Sequence, residues 1–71
     1  MKVFVFKSAD PNWRRLGVAV PHKPTRWFGR RRAAFAYAQR MARFLGCRVE
    51  AEDEDLAARF ESWLRLGGPA S

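Results

Sequence analysis

The chain has 71 residues, with 14 Lys or Arg against 7 Asp or Glu, a formal charge of +7, and an aromatic set of three Trp, six Phe and one Tyr. That length leaves room for one small core and no second domain. The single cysteine, Cys47, excludes an intramolecular disulfide and a thiol-based zinc site, and no apolar run approaches the ~20 residues of a membrane span.

The opening MKVFVFK alternates charge too early for the apolar core of a signal peptide, so a reducing, cytoplasmic setting is expected. Val3–Phe6 is β-branched and aromatic and flanked by Lys2 and Lys7. It reads as a strand with apolar groups on both faces, hence a central one. Asp10-Pro11-Asn12 supplies turn chemistry. Leu16, Val18 and Val20 then alternate with Arg15, Gly17 and Ala19, which predicts a half-buried strand forming an antiparallel hairpin with the first. Pro21 and Pro24 interrupt regular pairing, after which residues 25–28 predict a short edge strand.

A helix is expected from about Arg31 to Leu45. At 100° per residue Phe35, Ala38, Ala42 and Leu45 share one face, extended by Ala34, Tyr37, Met41 and Phe44, and Arg32, Ala36, Gln39, Arg40 and Arg43 take the opposite arc. Gly46 is the expected stop. Cys47, Val49 and Ala51 alternate with Arg48, Glu50 and Glu52, a further strand. Asp53 is placed to cap a second helix whose first turn holds Glu54 and Asp55, as the helix dipole prefers. Leu56, Phe60, Trp63 and Leu64 form its apolar stripe, Glu61 and Arg65 are spaced to pair, and Gly67-Gly68-Pro69 ends it. The expected fold is a single α+β domain over residues 1–68 in the order β-β-(β)-α-β-α. Its sheet, mainly antiparallel with three or four strands, is packed by two helices. Residues 69–71 are expected to form a frayed tail.

The strand, strand and Ala-rich helix of the first 45 residues resemble HicB-type antitoxin domains and several small phage-encoded proteins. The likeness is one of element pattern. HicB-type domains are usually acidic, unlike this chain, and no function is carried over from them.

Charge is segregated along the chain. Residues 1–48 hold twelve Lys or Arg against one acid, Asp10, and residues 49–71 hold Arg59 and Arg65 against six acids. A basic side and an acidic corner follow. Eleven of the basic residues are Arg, and GC-rich coding would account for that excess without accounting for its placement.

Catalysis is not expected, because no constellation of acid, base and nucleophile is legible. His22 lies between Pro21 and Lys23 with no evident partner, and Ser8 and Ser62 lack partners too. Gly17 and Gly29 are isolated rather than part of a phosphate loop. Residues 50–55 are rich in carboxylates but lack the glycine and ligand spacing of a calcium loop. No cofactor or metal is expected.

The functional signal is arginine beside aromatic groups. Arg30, Arg31 and Arg32 stand where a helix should begin, at the end whose partial positive charge disfavours cations by roughly 0.3–1 kcal/mol each. An anion docked there would relieve that conflict, since arginine forks and helix N–H groups both bind phosphate. Arg26 and Trp27 precede the cluster, Trp27 and Phe28 could stack on a base, and Arg40 and Arg43 continue the basic track. Nucleic acid is therefore the leading expected partner. Three other readings use the same residues. The chain could be a phage-type inhibitor or adaptor, anti-CRISPR proteins included, that binds an acidic surface of a host factor or nucleoprotein complex. It could be an antitoxin-like module. Or the arginines could be a solvated face, with a helix starting nearer Ala33, Trp27 and Phe28 covering the sheet, and residues 50–55 neutralising the arginines internally or across a homodimer.

Overall fold

A computed structural model describes residues 1–68. The expected tail, 69–71, lies outside the described residues. Strand β1 (Lys2–Lys7) is followed by β2 (Leu16–Ala19), β3 (Arg26–Phe28), helix α1 (Arg31–Leu45), β4 (Arg48–Ala51) and α2 (Glu54–Arg65). The sheet order is β3-β2-β1-β4, so the apolar Val3–Phe6 run is indeed central and the short β3 is an edge. β1–β2 and β2–β3 are antiparallel, with Val5 opposite Val18 and Gly17 opposite Trp27. β4 runs parallel to β1, with Val3 opposite Val49, which makes the sheet mixed. A parallel neighbour needs a long crossover, and α1 supplies it.

Both helices lie on one face of the sheet. The core under them is Val3, Val5, Val18, Val20, Ala34, Phe35, Ala38, Ala42 and Leu56, bordered by Val49, Phe60, Trp63 and others. Three alanines in this set let α1 approach the strands closely, while Phe35, at 1% exposure, fills the space beneath α2. Phe35 packs edge-on to Phe60 at 5.2 Å and against Trp63 at 5.7 Å. Phe44 departs from the expected apolar face and is 79% exposed. At 100° per residue it stands about half a turn from Phe35, which points it away from the sheet.

The ends of the helices follow local chemistry. Gly46 adopts φ 68° and stops α1 in the left-handed conformation that glycine tolerates best. The Leu56 N–H donates to Asp53 Oδ1 at 2.8 Å, the expected cap of α2. That hydrogen bond outweighs desolvation, the next largest influence, and with lesser help from the Lys7 ammonium it holds the Asp53 carboxyl below its ordinary value of 3.8. A depressed folded-state value means stability that is complete above the ordinary carboxylate range and disappears as pH falls through the depressed one. Asp53→Asn, which still caps, should therefore flatten the acid limb of a plot of Tm against pH. Asp53→Ala should lower Tm throughout neutral pH, and an unchanged Tm in circular-dichroism melts would show that the cap contributes nothing.

The acidic corner is engaged locally. Lys2 meets Glu50 at 3.5 Å, Lys7 meets Asp53 at 3.3 Å and Asp55 at 3.9 Å, and Arg59 meets Asp55 at 3.1 Å. The pair expected between Glu61 and Arg65 is not formed; the intrahelical pair of α2 is Arg59 with Asp55. No described helix is long and apolar enough to cross a membrane.

Candidate nucleic-acid interface

The arginine cluster does occupy the start of α1. Arg30 is the N-cap in extended conformation, it makes no side-chain capping hydrogen bond, and the first turn holds no acid. Arg31 and Arg32 are the first two helical residues, so the helix does not begin late enough to leave them in a loop. Their charge is stacked onto the positive end of the helix dipole. Among the described residues none of Arg30, Arg31 and Arg32 forms an ion pair, because the carboxylates of residues 50–55 that do pair reach Lys2, Lys7 and Arg59 instead.

These arginines open onto a cleft of about 860 Å³ between the start of α1 and the second half of α2, lined by Arg30, Arg31, Arg32, Arg59, Trp63 and Leu66 among others. Among the described residues no carboxylate lines it. The cleft thus combines four guanidinium groups, the exposed first turn of a helix and an indole. A smaller depression of about 330 Å³ lies beside it, bordered by Lys7, Arg14, Arg15, Gly29 and Arg31. Arg31 borders both, so the positive surface is continuous from the β1–β2 hairpin to α2. Arg32, Arg40 and Arg43 are exposed and fall within one arc of α1, extending that surface along the helix.

The aromatic neighbours expected beside the cluster are placed differently. Arg26 and Phe28 lie on the helix-covered side of β3, where the Arg26 guanidinium stacks on Tyr37 at 4.8 Å and on Phe28 at 5.3 Å. Phe28 also packs on Tyr37 at 5.4 Å. Trp27, between them, points to the opposite face of the sheet, as alternation along a strand requires. Trp27 and Phe28 therefore do cover the sheet, one on each side, and neither enters the arginine cleft. The indole of the cleft is Trp63, which the sequence presented only as part of a helix stripe.

The opposite face of the sheet carries a second aromatic group that sequence reasoning did not assemble. Phe4 stacks on Phe6 at 5.7 Å, Phe6 meets Trp27 edge-on at 5.3 Å, and Trp27 packs on Trp13 of the β1–β2 loop at 5.0 Å. Gly17 lies beneath this group. A Cβ there would stand 2.6 Å from the Phe6 ring and 3.0 Å from the Trp27 ring, so only glycine lets the two rings close over β2. Trp13 and Trp27 remain 42% and 41% exposed.

Other candidates for chemistry are dispersed. His22 is exposed at the third position of a turn closed by the Lys23 N–H and the Val20 carbonyl (3.1 Å), with φ 63°. Cys47 is half-buried just before β4. Among the described residues no three of His, Cys, Asp and Glu are grouped as a metal ion would need. No protein-family model, curated protein or solved structure matches this chain.

Proposed function

We propose that the protein is a non-enzymatic nucleic-acid-binding protein of the cytoplasm that grips the phosphate backbone with the arginines at the start of α1. The observation that carries this reading is the cleft of Arg30, Arg31, Arg32 and Arg59: among the described residues no carboxylate lines it, and three of its guanidinium groups have no carboxylate partner. Unpaired like charges held together at a positive helix end are costly unless an anion joins them. Guanidinium forks and helix N–H groups suit phosphate oxygens, and Arg14, Arg15, Arg40 and Arg43 extend the basic surface beyond one phosphate. A net charge of +7 steers such a polyanion from a distance.

Electrophoretic mobility shift with random-sequence single strand and duplex, repeated at rising salt, tests the reading. Retarded complexes whose affinity falls steeply as salt increases are expected. A different outcome identifies the competing partner. If no complex forms at low salt, and affinity capture from the native host returns one protein that survives nuclease treatment, the arginines serve an acidic protein surface.

A further inference from the structure

We propose that the uncovered face of the sheet is a stacking platform for unpaired bases, so that the preferred target is a single strand. Trp13, Trp27 and Phe6 form the platform, and Arg14 and Arg15 hold the phosphates beside it. This rests on the nucleic-acid reading above and adds a second site and a strandedness to it.

Three observations lead there. A chain of this size needs its large apolar groups in the core, yet two of its three Trp stand on the far side of the sheet, two-fifths exposed. They are held in place rather than loose. Ring meets ring from Phe4 through Phe6 and Trp27 to Trp13, and the absent side chain of Gly17 lets the rings lie across β2. Such pre-ordered aromatic surface binds bases without much further loss of side-chain freedom.

The charge around the platform is graded. At the β2–β3 end the Arg15 guanidinium lies 6.0 Å from the Trp13 ring, and the same Arg15 borders, with Lys7, Arg14 and Arg31, the depression beside the arginine cleft. Asp10 is the one acid of the hairpin loop, and its Oδ1 accepts the Asn12 N–H at 2.9 Å. At the β4 end stand Glu50, paired with Lys2, and Glu52, which accepts the Lys7 N–H at 3.0 Å. A polyanion is therefore directed to the half of the face that holds the two Trp. Its backbone can then follow Arg14, Arg15 and Arg31 toward the cleft while its bases lie on the rings. Bases inside a duplex are already stacked and offer no free face to such a surface. A second copy of this chain fits less well, since each copy carries +7 and the association would draw the arginines of both together.

The test titrates the intact chain with a labelled oligothymidylate of about twelve nucleotides, within the usual site size, and with a duplex of equal length. Tryptophan emission and anisotropy are read at several salt concentrations. Tighter binding of the single strand with quenching of tryptophan is expected. The double variant Trp13→Ala, Trp27→Ala should lose ~5- to 100-fold in single-strand affinity at unchanged salt slope, and keep its duplex affinity. Trp13→Phe with Trp27→Phe should retain most of the affinity but lose the quenching, since Trp63 is then the one tryptophan left; if the Ala variant fails to fold, quenching that persists in the Phe variant refutes the platform. Arg14→Gln with Arg15→Gln should make the single-strand slope of log affinity on log salt shallower by up to ~0.7 for each phosphate no longer neutralised. The platform is refuted, with the arginine cleft left standing, if parent and tryptophan variants bind both strands and duplex alike. It is refuted in favour of self-association if sedimentation shows a dimer that the Ala variant turns into a monomer with strand binding intact. A parent that binds neither nucleic acid refutes the underlying reading as well.

Discussion

Phe35→Ala is expected to destabilise the fold by ~3–5 kcal/mol, the range for removing a large buried aromatic side chain. At roughly 0.05–0.15 kcal/mol per residue a domain of this length has about 4–11 kcal/mol in hand, so the substitution removes a large share of its stability and should lower Tm steeply. The size of the effect follows from position. Phe35 is 1% exposed and joins α1 to α2 through Phe60 and Trp63, so its loss opens a cavity between the helices and beside the sheet. Phe60 is only half-buried, and Phe60→Ala should cost less than Phe35→Ala. Urea titration followed by circular dichroism measures both. A loss under ~1 kcal/mol at Phe35 would mean that α1 presents a different face to the sheet.

Much of the architecture is legible because it depends on neighbours in sequence. The bounds of α1 rest on Gly46 and on a periodic apolar face, that of α2 on the Asp53 cap, and the central position of β1 on valine and phenylalanine alternating without a polar face. The direction of β4 is different in kind. Arg48–Ala51 alternates identically whether it runs with β1 or against it, and only the crossover by α1 decides. The binding surface divides in the same way. Arg30–Arg32 are adjacent in sequence and stay together in space, whereas Arg59 and Trp63 reach the cleft only because α2 folds back over Phe35. Phe4, Phe6, Trp13 and Trp27 come from three segments, and their assembly depends on the register that sets Gly17 opposite both Phe6 and Trp27. One signal for it was present. A central strand with phenylalanines facing away from its valines needs something to cover them, and no third layer of structure was available from so short a chain.

Replacing Arg30, Arg31 and Arg32 together by Gln is expected to leave the fold intact and to remove most of the affinity for nucleic acid. The three side chains are exposed and make no ion pair among the described residues, so folding loses no partner. Each cation also opposes the dipole at the start of α1 by roughly 0.3–1 kcal/mol, and the variant should therefore melt at the same temperature or slightly higher. Binding responds in the opposite sense. On duplex DNA the slope of log affinity against log salt should become shallower by up to ~0.9 for each phosphate that the variant no longer neutralises. That combination, stability held or raised while affinity and salt dependence fall, is what separates a surface kept for a ligand from one kept for the fold. Melting curves and salt titrations on the same preparation give both quantities. An unfolded variant would show that the arginines have structural partners after all. A variant that melts normally and binds with the parent's affinity and salt slope would remove the cleft as the phosphate site. A parent that ignores nucleic acid but captures an acidic host protein, with capture abolished in the variant, would transfer the same arginines to a protein partner.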